Sequence, residues 1–406
     1  MSAPSRSPLP PAYEALEPEP RPPRRRPPRT PLRTALAVLG AVVLVVGAIG
    51  AWSVIGAAST RGNESFNAKW ADWMRSHGMG SLISSFEAYY YNSHQPKKGG
   101  EPKGLNPVAK AQTAPTKVSV PAKPMLPAPA PVPLVVSPAL PGEGQWQPIG
   151  PVVDGRAAMY EAQFRADTVF TSEITTAVWM DPLELRVSLV PGLTEPGGTW
   201  THPPYVTPAE APSVLAAFNG GFRFQDARGG FYLDGRTAVP LVTGAASLVI
   251  YKDGRVDVGT WGSEVSMTPD VQAVLQNLVP MVDQGQVSAS ATYHDSRVWG
   301  STLSGSVVVA RSGVGVTANG ALVYVAGPAL TAKTLAEALQ RAGAVRAMTL
   351  DINPEWVTFN IFTHPYPATP TEVVGTKLYP QMQRSANRYL YPTQESRDFF
   401  EVSLIP

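Results

Sequence analysis

The chain contains no cysteine among its 406 residues. It therefore forms no disulfide, binds no zinc through thiolates and carries no cysteine nucleophile. Histidine is scarce, and the five histidines follow no metal-ligand spacing: His77, His94, His202, His294 and His364. The sequence also lacks the Gly-x-Ser-x-Gly pattern of a serine nucleophile. We therefore expect no metal site and no cofactor.

Basic residues are in excess only near the N-terminus. The formal net charge is +2, and one short segment holds a run of arginines: Arg21, Arg24, Arg25, Arg26, Arg29 and Arg33. The rest of the chain is close to neutral, so no broad basic surface favours nucleic acid. The 43 prolines are too many for a uniformly folded chain. Residues 1–34 are predicted to be a disordered cytoplasmic tail whose arginines lie against anionic lipid headgroups.

A long apolar run follows this tail. From Thr34 to Thr60 no residue is charged, and about 20 such residues are enough to cross a bilayer as a helix. We predict a transmembrane helix over residues 35–60, with the N-terminus in the cytoplasm and the rest of the chain outside it. A signal peptide is the alternative, although its apolar region usually spans only about 7–15 residues. Ala57-Ala58-Ser59 would allow its cleavage.

Residues 61–96 are predicted to form two amphipathic helices. Apolar residues recur at helical spacing from Phe66 to Met74 and again from Leu82 to Tyr90. Two interpretations stay open: the pair lies among the lipid headgroups, or it docks on the main domain. Residues 97–144, rich in Pro and Ala, are predicted to be an extended linker that holds the head away from the bilayer.

The head is predicted over residues 145–406, which is enough for one sizeable core. Thr331 is a plausible N-cap of a helix that Gly343 would end. Apolar alternation and turn residues predict strands and hairpins in four segments: residues 176–180, 185–189, 246–254 and 316–324. Because strands and hairpins outnumber helices, the predicted class is α+β with a mixed sheet.

Four motifs stand out in the head. The first ends an apolar run in Asn-Gly-Gly, where glycines allow a ligand to approach the backbone closely. The second contains Pro280 and Gly285, and the third places Arg311 at the end of an apolar run. The fourth is a strand that ends at Leu350-Asp351. The motifs span residues 219–222, 278–285, 309–315 and 343–351.

This ordered set resembles the phosphodiester glycosidase family. The family pattern is Asn-Gly-Gly-Phe-Phe, Pro-x-Leu-Val with a glycine, Arg-Thr-Ala-x-Gly and Leu-Asp-Gly-Gly-Gly-Ser. The resemblance spans about residues 170–362, and the third motif has Ser312-Gly313 in place of Thr-Ala. The fourth motif has Ile352-Asn353-Pro354-Glu355 in place of the glycines and serine. Pro354 is rigid and lacks an N–H, so the chain is expected to be a divergent member.

The resemblance and the chemistry of the side chains suggest roles for individual residues. Asp351 is the candidate base, Arg311 the phosphate-binding cation and Glu355 a weaker second carboxyl. An Asx turn or helix cap is the alternative for Asp351, and a strand-end ion pair for Arg311. The candidate substrate-binding residues are Asn219, Gly220, Gly221, Gly315, Asn353 and Trp356. Trp356 would stack on a sugar, unless it is a core tryptophan.

The family resemblance implies a membrane-anchored extracytoplasmic hydrolase that cleaves a sugar–phosphate glycosidic bond in a cell-envelope glycan. A sugar 1-phosphate bond needs less acid assistance than an ordinary glycoside, because phosphate leaves readily once a cation neutralises it. The alternative is a non-catalytic glycan-binding or cell-wall structural protein that keeps the fold. The altered loop at residues 352–356 is the feature that separates the two hypotheses.

Overall fold

In the computed structural model the chain divides between Val54 and Ile55 into two compact units. Residues 1–29 of the predicted tail lie outside the described residues, as do His94 and His294. The structure describes residues 30–60, 64–93, 96–109, 112–113, 125–153, 156–293, 296–299, 308–364 and 373–405.

The helices are concentrated before the head. Their bounds are α1 Thr30–Ser59, α2 Phe66–Ser76, α3 Gly80–Ser93, α4 Phe224–Ala227, α5 Ala289–Tyr293, α6 Ser296–Trp299 and α7 Ala332–Arg341. Within α1, Thr34–Ser59 has a mean hydropathy of 2.5. By length and composition it can cross a membrane, and a signal sequence near the N-terminus would have the same character.

The strands form three sheets. Their bounds are β1 Gln112–Thr113, β2 Gln147–Val153, β3 Arg156–Phe164, β4 Thr175–Met180, β5 Leu185–Val190, β6 Val214–Asn219, β7 Phe231–Leu233, β8 Arg236–Val239, β9 Ala246–Tyr251, β10 Val256–Thr260, β11 Val271–Gln276, β12 Val282–Asp283, β13 Gln286–Val287, β14 Val309–Thr317, β15 Leu322–Leu330, β16 Ala344–Thr349, β17 Phe359–Thr363, β18 Val374–Lys377 and β19 Phe399–Leu404.

Sheet I has the order β1-β2-β3-β4-β15-β14-β16-β12-β13. Sheet II has the order β10-β9-β11-β7-β8, and sheet III the order β18-β17-β6-β19-β5. Strands β1 and β2 are parallel, whereas the other paired strands are antiparallel. The predicted α+β class with a mixed sheet is confirmed.

Local sequence signals match the secondary structure of the head. The predicted hairpins form as β9–β10 and β14–β15, and Gly320 adopts a φ of +90° in the second turn. Thr331 is the N-cap of α7, where its side chain accepts a hydrogen bond from the Thr334 N–H in a capping box. Gly343 follows the helix with a φ of +101°, as a helix stop requires.

The segment before the head differs from the sequence prediction. Residues 97–144 were predicted to be an extended linker, but residues 125–144 pack against the head. The Leu126 N–H donates to Asp181 Oδ2 at 2.8 Å, and Val132 is buried. Glu143 and Arg165 form a buried ion pair with an oxygen–nitrogen distance of 2.7 Å. Prolines reduce the conformational entropy of the unfolded segment, whether it is extended or packed. Burial of the apolar residues between the prolines against sheet I stabilises the packed form.

The two amphipathic helices form as predicted, and α2 docks on the head. Asp72 of α2 forms an ion pair with Arg223, and the Ser65 N–H donates to Glu355 Oε1 at 3.0 Å. These contacts favour the docking interpretation for α2. Helix α3 instead exposes its large apolar side chains, among them Leu82, Phe86 and Tyr89.

An aromatic cluster joins sheets I and III at the centre of the main core. The ring of Phe218 on β6 lies 5.0 Å from Phe400, 5.3 Å from Tyr324 and 5.6 Å from Phe359, measured between centroids. All four side chains are almost fully buried. Aromatic pairs at these separations contribute beyond the area that they bury. The cluster thus fixes the end of β6, where Asn219 follows.

Replacement of Phe218 by alanine is expected to lower the free energy of unfolding by about 3–5 kcal/mol, because it leaves a cavity among three aromatic rings. Urea denaturation of the full chain in detergent measures this change. Tyr293→Ala is the control, since that side chain is 83% exposed, and should stay within about 0.5 kcal/mol. Equal effects in the two variants would contradict a central role for the cluster.

Candidate functional site

Three of the four sequence motifs meet at one end of the head. Asn219 ends β6, Ser312 lies on β14, and Asp351 follows β16. The Asn219 Nδ2 donates to Ser312 Oγ at 3.1 Å, and the Ser312 N–H donates to the Asp351 carbonyl at 2.8 Å. The Asp351 N–H donates in turn to Ser312 Oγ at 3.2 Å. Ser312, which stands where the family pattern has threonine, therefore connects the first motif to the fourth.

The side chain of Asn219 is occupied by the protein itself. Its Oδ1 accepts hydrogen bonds from the Tyr324 hydroxyl and from the Thr358 N–H, both at 3.1 Å. Its Nδ2 also donates to the Gly220 carbonyl at 2.8 Å. Because both ends of this buried amide are satisfied, Asn219 positions the site rather than offering its side chain to a ligand.

Asp351 lies in a buried ion pair. Its Oδ1 accepts the N–H groups of Ile352 and Asn353 at 2.8 and 2.9 Å, as in an Asx turn. Its Oδ2 accepts Nη1 of Arg397 at 3.0 Å. Burial raises the pKa of Asp351, and the guanidinium of Arg397 opposes that rise. The Arg397 Cζ lies 3.9 Å from the centre of the Trp356 ring, so the cation is stacked as well as paired.

A second carboxyl, Asp398, stands beside the Asn-Gly-Gly turn. Strands β6 and β19 are antiparallel and pair Asn219 with Phe399, so Gly220 lies against Asp398. A Cβ atom on Gly220 would overlap Asp398 Oδ2, which explains why glycine is needed here. Burial raises the pKa of Asp398 to about 8, and the nearby Glu195 carboxylate adds to the rise. Its Oδ2 is buried without a hydrogen bond from any residue that the structure describes.

These groups surround an inner cavity of about 10 Å³. This volume is close to the space that one water needs. Its charged lining consists of three carboxyls and two arginines, of which Arg388 and Glu395 pair with each other, leaving Asp351, Asp398 and Arg397. The full lining is Asn219, Gly220, Gly221, Asp351, Trp356, Arg388, Tyr389, Glu395, Arg397 and Asp398.

A larger outer cavity of about 290 Å³ adjoins the inner one, because Trp356 and Arg397 line both. Helix α2 supplies one wall through Lys69, Asp72 and Trp73. The other wall includes Glu195, whose pKa is raised by burial. The remaining lining residues are Thr60, Glu64, Ser76, Thr194, Arg223 and Ser396.

Arg311 was suggested by the sequence as the phosphate-binding cation. Its side chain lies on the face of the sheet opposite to that of Ser312. Successive residues of a strand face opposite sides of the sheet, and Ser312 faces Asn219. The Arg311 Nε donates to the Leu330 carbonyl at 2.9 Å, and the residue is almost fully buried. Burial lowers its pKa to about 10. Arg311 lines neither cavity.

Glu355, the predicted second carboxyl, also lines neither cavity. Its Oε1 accepts Nη1 of Arg384 at 2.7 Å and the Ser65 N–H at 3.0 Å. Burial alone would raise the pKa of Glu355, but these hydrogen bonds and the charge of Arg384 hold it below its usual value. Glu355 therefore serves as an anchor in the fold.

The other predicted substrate-binding residues divide into two groups. Gly220, Gly221 and Trp356 line the inner cavity. Gly315 lies inside β14, where a Cβ atom would lie 2.6 Å from the Arg346 carbonyl, so it permits close strand packing. Asn353 shapes the loop, since its Oδ1 accepts the Glu355 N–H at 2.9 Å.

Sequence reasoning missed the carboxyl and the cation supplied by the C-terminal strand. Arg397 and Asp398 immediately precede the apolar run of β19. Charged residues next to a buried strand were a usable signal, because the start of one antiparallel strand lies beside the end of its neighbour. Only the pairing of β19 with β6 indicates that this neighbour carries Asn219.

Comparison with known proteins gives a partial match. Residues 213–351 match the phosphodiester glycosidase family. No curated protein matches the chain. The catalytic domain of zebrafish N-acetylglucosamine-1-phosphodiester alpha-N-acetylglucosaminidase, solved in a form auto-inhibited by its pro-peptide, is similar at 15% identity with a TM-score of 0.37. That match covers 62% of this chain and 85% of the zebrafish one.

A hypothetical protein from Synechocystis is similar at 12% identity with a TM-score of 0.36, over 62% of this chain and 63% of that one. The family match begins just before β6 and ends at Asp351, so it includes all four motifs. The resemblance inferred from the sequence is thereby confirmed over residues 213–351, which are similar to the phosphodiester glycosidase family.

Proposed function

We propose that the head hydrolyses the glycosidic bond between a sugar and a phosphate in a cell-envelope glycan. The observation that carries the proposal is the Asp351–Arg397 pair beside Asp398, a carboxyl whose pKa burial raises to about 8. Glycoside cleavage commonly uses two carboxyl groups in different protonation states. Groups with perturbed pKa values in a cleft are candidates for such chemistry.

Arg397 is the proposed phosphate-binding group. It lines both cavities, and among the described residues only Asp351 accepts a hydrogen bond from it. The remaining N–H groups of its guanidinium are therefore available to a phosphate in the outer cavity. The Trp356 ring, on which the Arg397 guanidinium is stacked, holds that guanidinium in one orientation. Less conformational entropy is therefore lost when a phosphate binds. This assigns to Arg397 the role that the sequence suggested for Arg311.

The two carboxyls divide the chemistry. A water in the inner cavity attacks the anomeric carbon, and the Asp351 carboxylate accepts the proton that this water loses. The bond between the anomeric carbon and the phosphate oxygen breaks, and Asp398 donates its proton to that oxygen. The products are the free sugar and a phosphate monoester. Two acid–base residues of this kind each contribute about 10²–10⁴ in rate.

The altered fourth motif favours a substrate that differs from those of proteins with the Leu-Asp-Gly-Gly-Gly-Ser pattern. Ile352-Asn353-Pro354 replaces the three glycines with a rigid loop that has fewer N–H groups to offer. Trp356 at the end of this loop lines both cavities, and the Arg397 guanidinium is stacked on its ring. We infer that Arg397, held on Trp356, takes over part of the substrate recognition that backbone contacts supply elsewhere.

The apolar segment Thr34–Ser59 supports a single membrane anchor for the enzyme. The arginines that precede it favour a cytoplasmic N-terminus by the positive-inside rule. The head then acts outside the cytoplasm, on a sugar–phosphate polymer of the cell envelope. The bilayer and this glycan are its proposed partners, with no role for nucleic acid.

Asp351→Asn, Asp398→Asn and Arg397→Lys are each expected to lower turnover by about 10²-fold or more, since each removes a base, an acid or a fork of donors. The assay is hydrolysis of a panel of synthetic sugar-1-phosphodiesters by the full chain in detergent. Arg255→Lys, an exposed arginine outside both cavities, is the matched control and should retain full activity.

Two outcomes would contradict this assignment. Retained turnover in Asp351→Asn or Arg397→Lys would remove the proposed base or cation. No turnover by the wild-type chain on any sugar, together with binding of envelope glycan that Trp356→Ala abolishes, would favour the alternative of a non-catalytic binding module.

The protonation of Asp398 has a consequence for stability that is independent of substrate. Its pKa is about 8 in the folded chain and about 3.9 in an unfolded one. Between these values the folded state keeps a proton that the unfolded state releases, so this contribution is full below about pH 4 and is lost as pH rises toward 8. Asp398→Asn should remove that loss.

Urea denaturation of wild type and Asp398→Asn at pH 5, 6, 7 and 8 is the measurement. The free energy of unfolding of the variant minus that of the wild type should increase steadily as pH rises. Burial also raises the pKa of Glu161 and Glu401 to about 7, but both residues are present in both proteins and cancel. Parallel profiles would show that Asp398 is already ionised at low pH.

A further inference from the structure

Three potential metal ligands meet on the face of sheet III that carries Phe399. His202 and Glu210 lie in the connection between β5 and β6, and Glu401 lies on β19. One ligand atom from each residue lies within 4.8 Å of the other two. None of the three lines the inner or outer cavity. Only one of the three is a histidine, and Glu401 is far from it in the sequence, so the spacing of the histidines could not indicate a site.

The tautomer of His202 is set by the backbone. Its Nδ1 lies 2.7 Å from the Pro203 carbonyl, which can only accept, so Nδ1 carries the proton. In the neutral ring Nε2 then presents a lone pair, and it lies 2.8 Å from Glu210 Oε1. Histidines that ligate metals usually donate their other ring N–H to such a carbonyl. Two acceptor atoms this close require either an added proton or a cation between them.

Glu401 is the second, independent observation. Its relative exposure is only 6%, and its carboxyl makes no hydrogen bond with any residue that the structure describes. It shares one face of β19 with Phe399, which packs in an apolar cluster with Val206, Ala217 and Tyr389. A buried carboxyl without donors is costly unless it is paired with a cation. Burial and the neighbouring Glu210 raise the pKa of Glu401 to about 7.

We propose that His202, Glu210 and Glu401 bind a divalent zinc ion. One imidazole nitrogen and two carboxylate oxygens match the donor set of zinc, with a fourth position left for water. Magnesium and calcium prefer six or more oxygen ligands, which three side chains with one nitrogen do not supply. The partly exposed His202 and Glu210 give the ion a path of entry.

The ion would join a connecting segment to β19, the strand that directly follows the proposed acid Asp398. Glu401 pairs with Ala217 on β6 and Ser188 on β5, so it is held by two neighbouring strands. His202 and Glu210 lie on the chain between those strands. Zinc would therefore fix this connection against sheet III, at a residue three positions along the chain from Asp398. Its role is structural, and it does not depend on the proposed hydrolysis.

Equilibrium dialysis of the full chain in detergent against Zn²⁺, followed by elemental analysis, tests the site. We expect one zinc per chain, binding weakened 10-fold or more by Glu401→Gln and by His202→Gln, and no comparable binding of Mg²⁺. Glu337→Gln, an exposed helical glutamate, is the matched control and should bind as the wild type does. Saturating Zn²⁺ should also raise the Tm of the wild type but not that of Glu401→Gln.

A zinc X-ray absorption spectrum of the wild type removes any dependence on how the variants fold. It should contain one nitrogen and two carboxylate oxygens at about 2.0–2.2 Å. Equal zinc binding in wild type and both variants, or a spectrum with several histidines, would overturn the proposal. So would the absence of binding by the wild type, which would leave His202 and Glu210 as an ordinary ion pair.

Discussion

The side chain of Asn219 is the point on which the arrangement of the site depends. It ends a strand of sheet III, yet its amide hydrogen-bonds with Ser312 and Tyr324 of sheet I and with the Thr358 N–H before β17. A buried hydrogen bond of this kind contributes only about 0.5–1.5 kcal/mol, but an unsatisfied partner costs about 1–3 kcal/mol. These hydrogen bonds therefore fix sheets I and III relative to each other close to Asp351 and Asp398.

Charge at the site is arranged at a cost to stability. Asp351, Asp398 and Glu195 are carboxyls whose pKa values are all raised by burial, and the charge of Arg397 opposes that rise at each of them. The single positive charge of Arg397, which is stacked on Trp356, does not compensate for the burial of three carboxyls. Groups that oppose folding in this way persist where chemistry needs a carboxyl in its neutral form, which is the argument for Asp398 as an acid.

The sequence predicts what is local and misses what depends on pairing. Hairpin turns, the α7 capping box and the end of β6 at Asn219 follow from residues within a few positions of each other. The choice between Arg311 and Ser312 requires knowing which face of β14 points to Asn219, and a shift of one residue reverses that choice. The proposed roles of Arg397 and Asp398 follow only from the pairing of β19 with β6, and His202 meets Glu401 only through the fold.

The altered fourth motif and the docking of α2 are parts of one structural change. Glu355 stands where the family pattern has glycine or serine, and its carboxylate accepts the N–H of Ser65, the N-cap of α2. A carboxylate at a helix N-terminus is stabilised by the helix dipole, and Arg384 holds it in place. The loop that loses backbone donors thus gains a contact that brings α2 to the outer cavity. Lys69, Asp72 and Trp73 of that helix then form one wall of the outer cavity, so in the proposed function the altered loop also shapes the place where substrate binds.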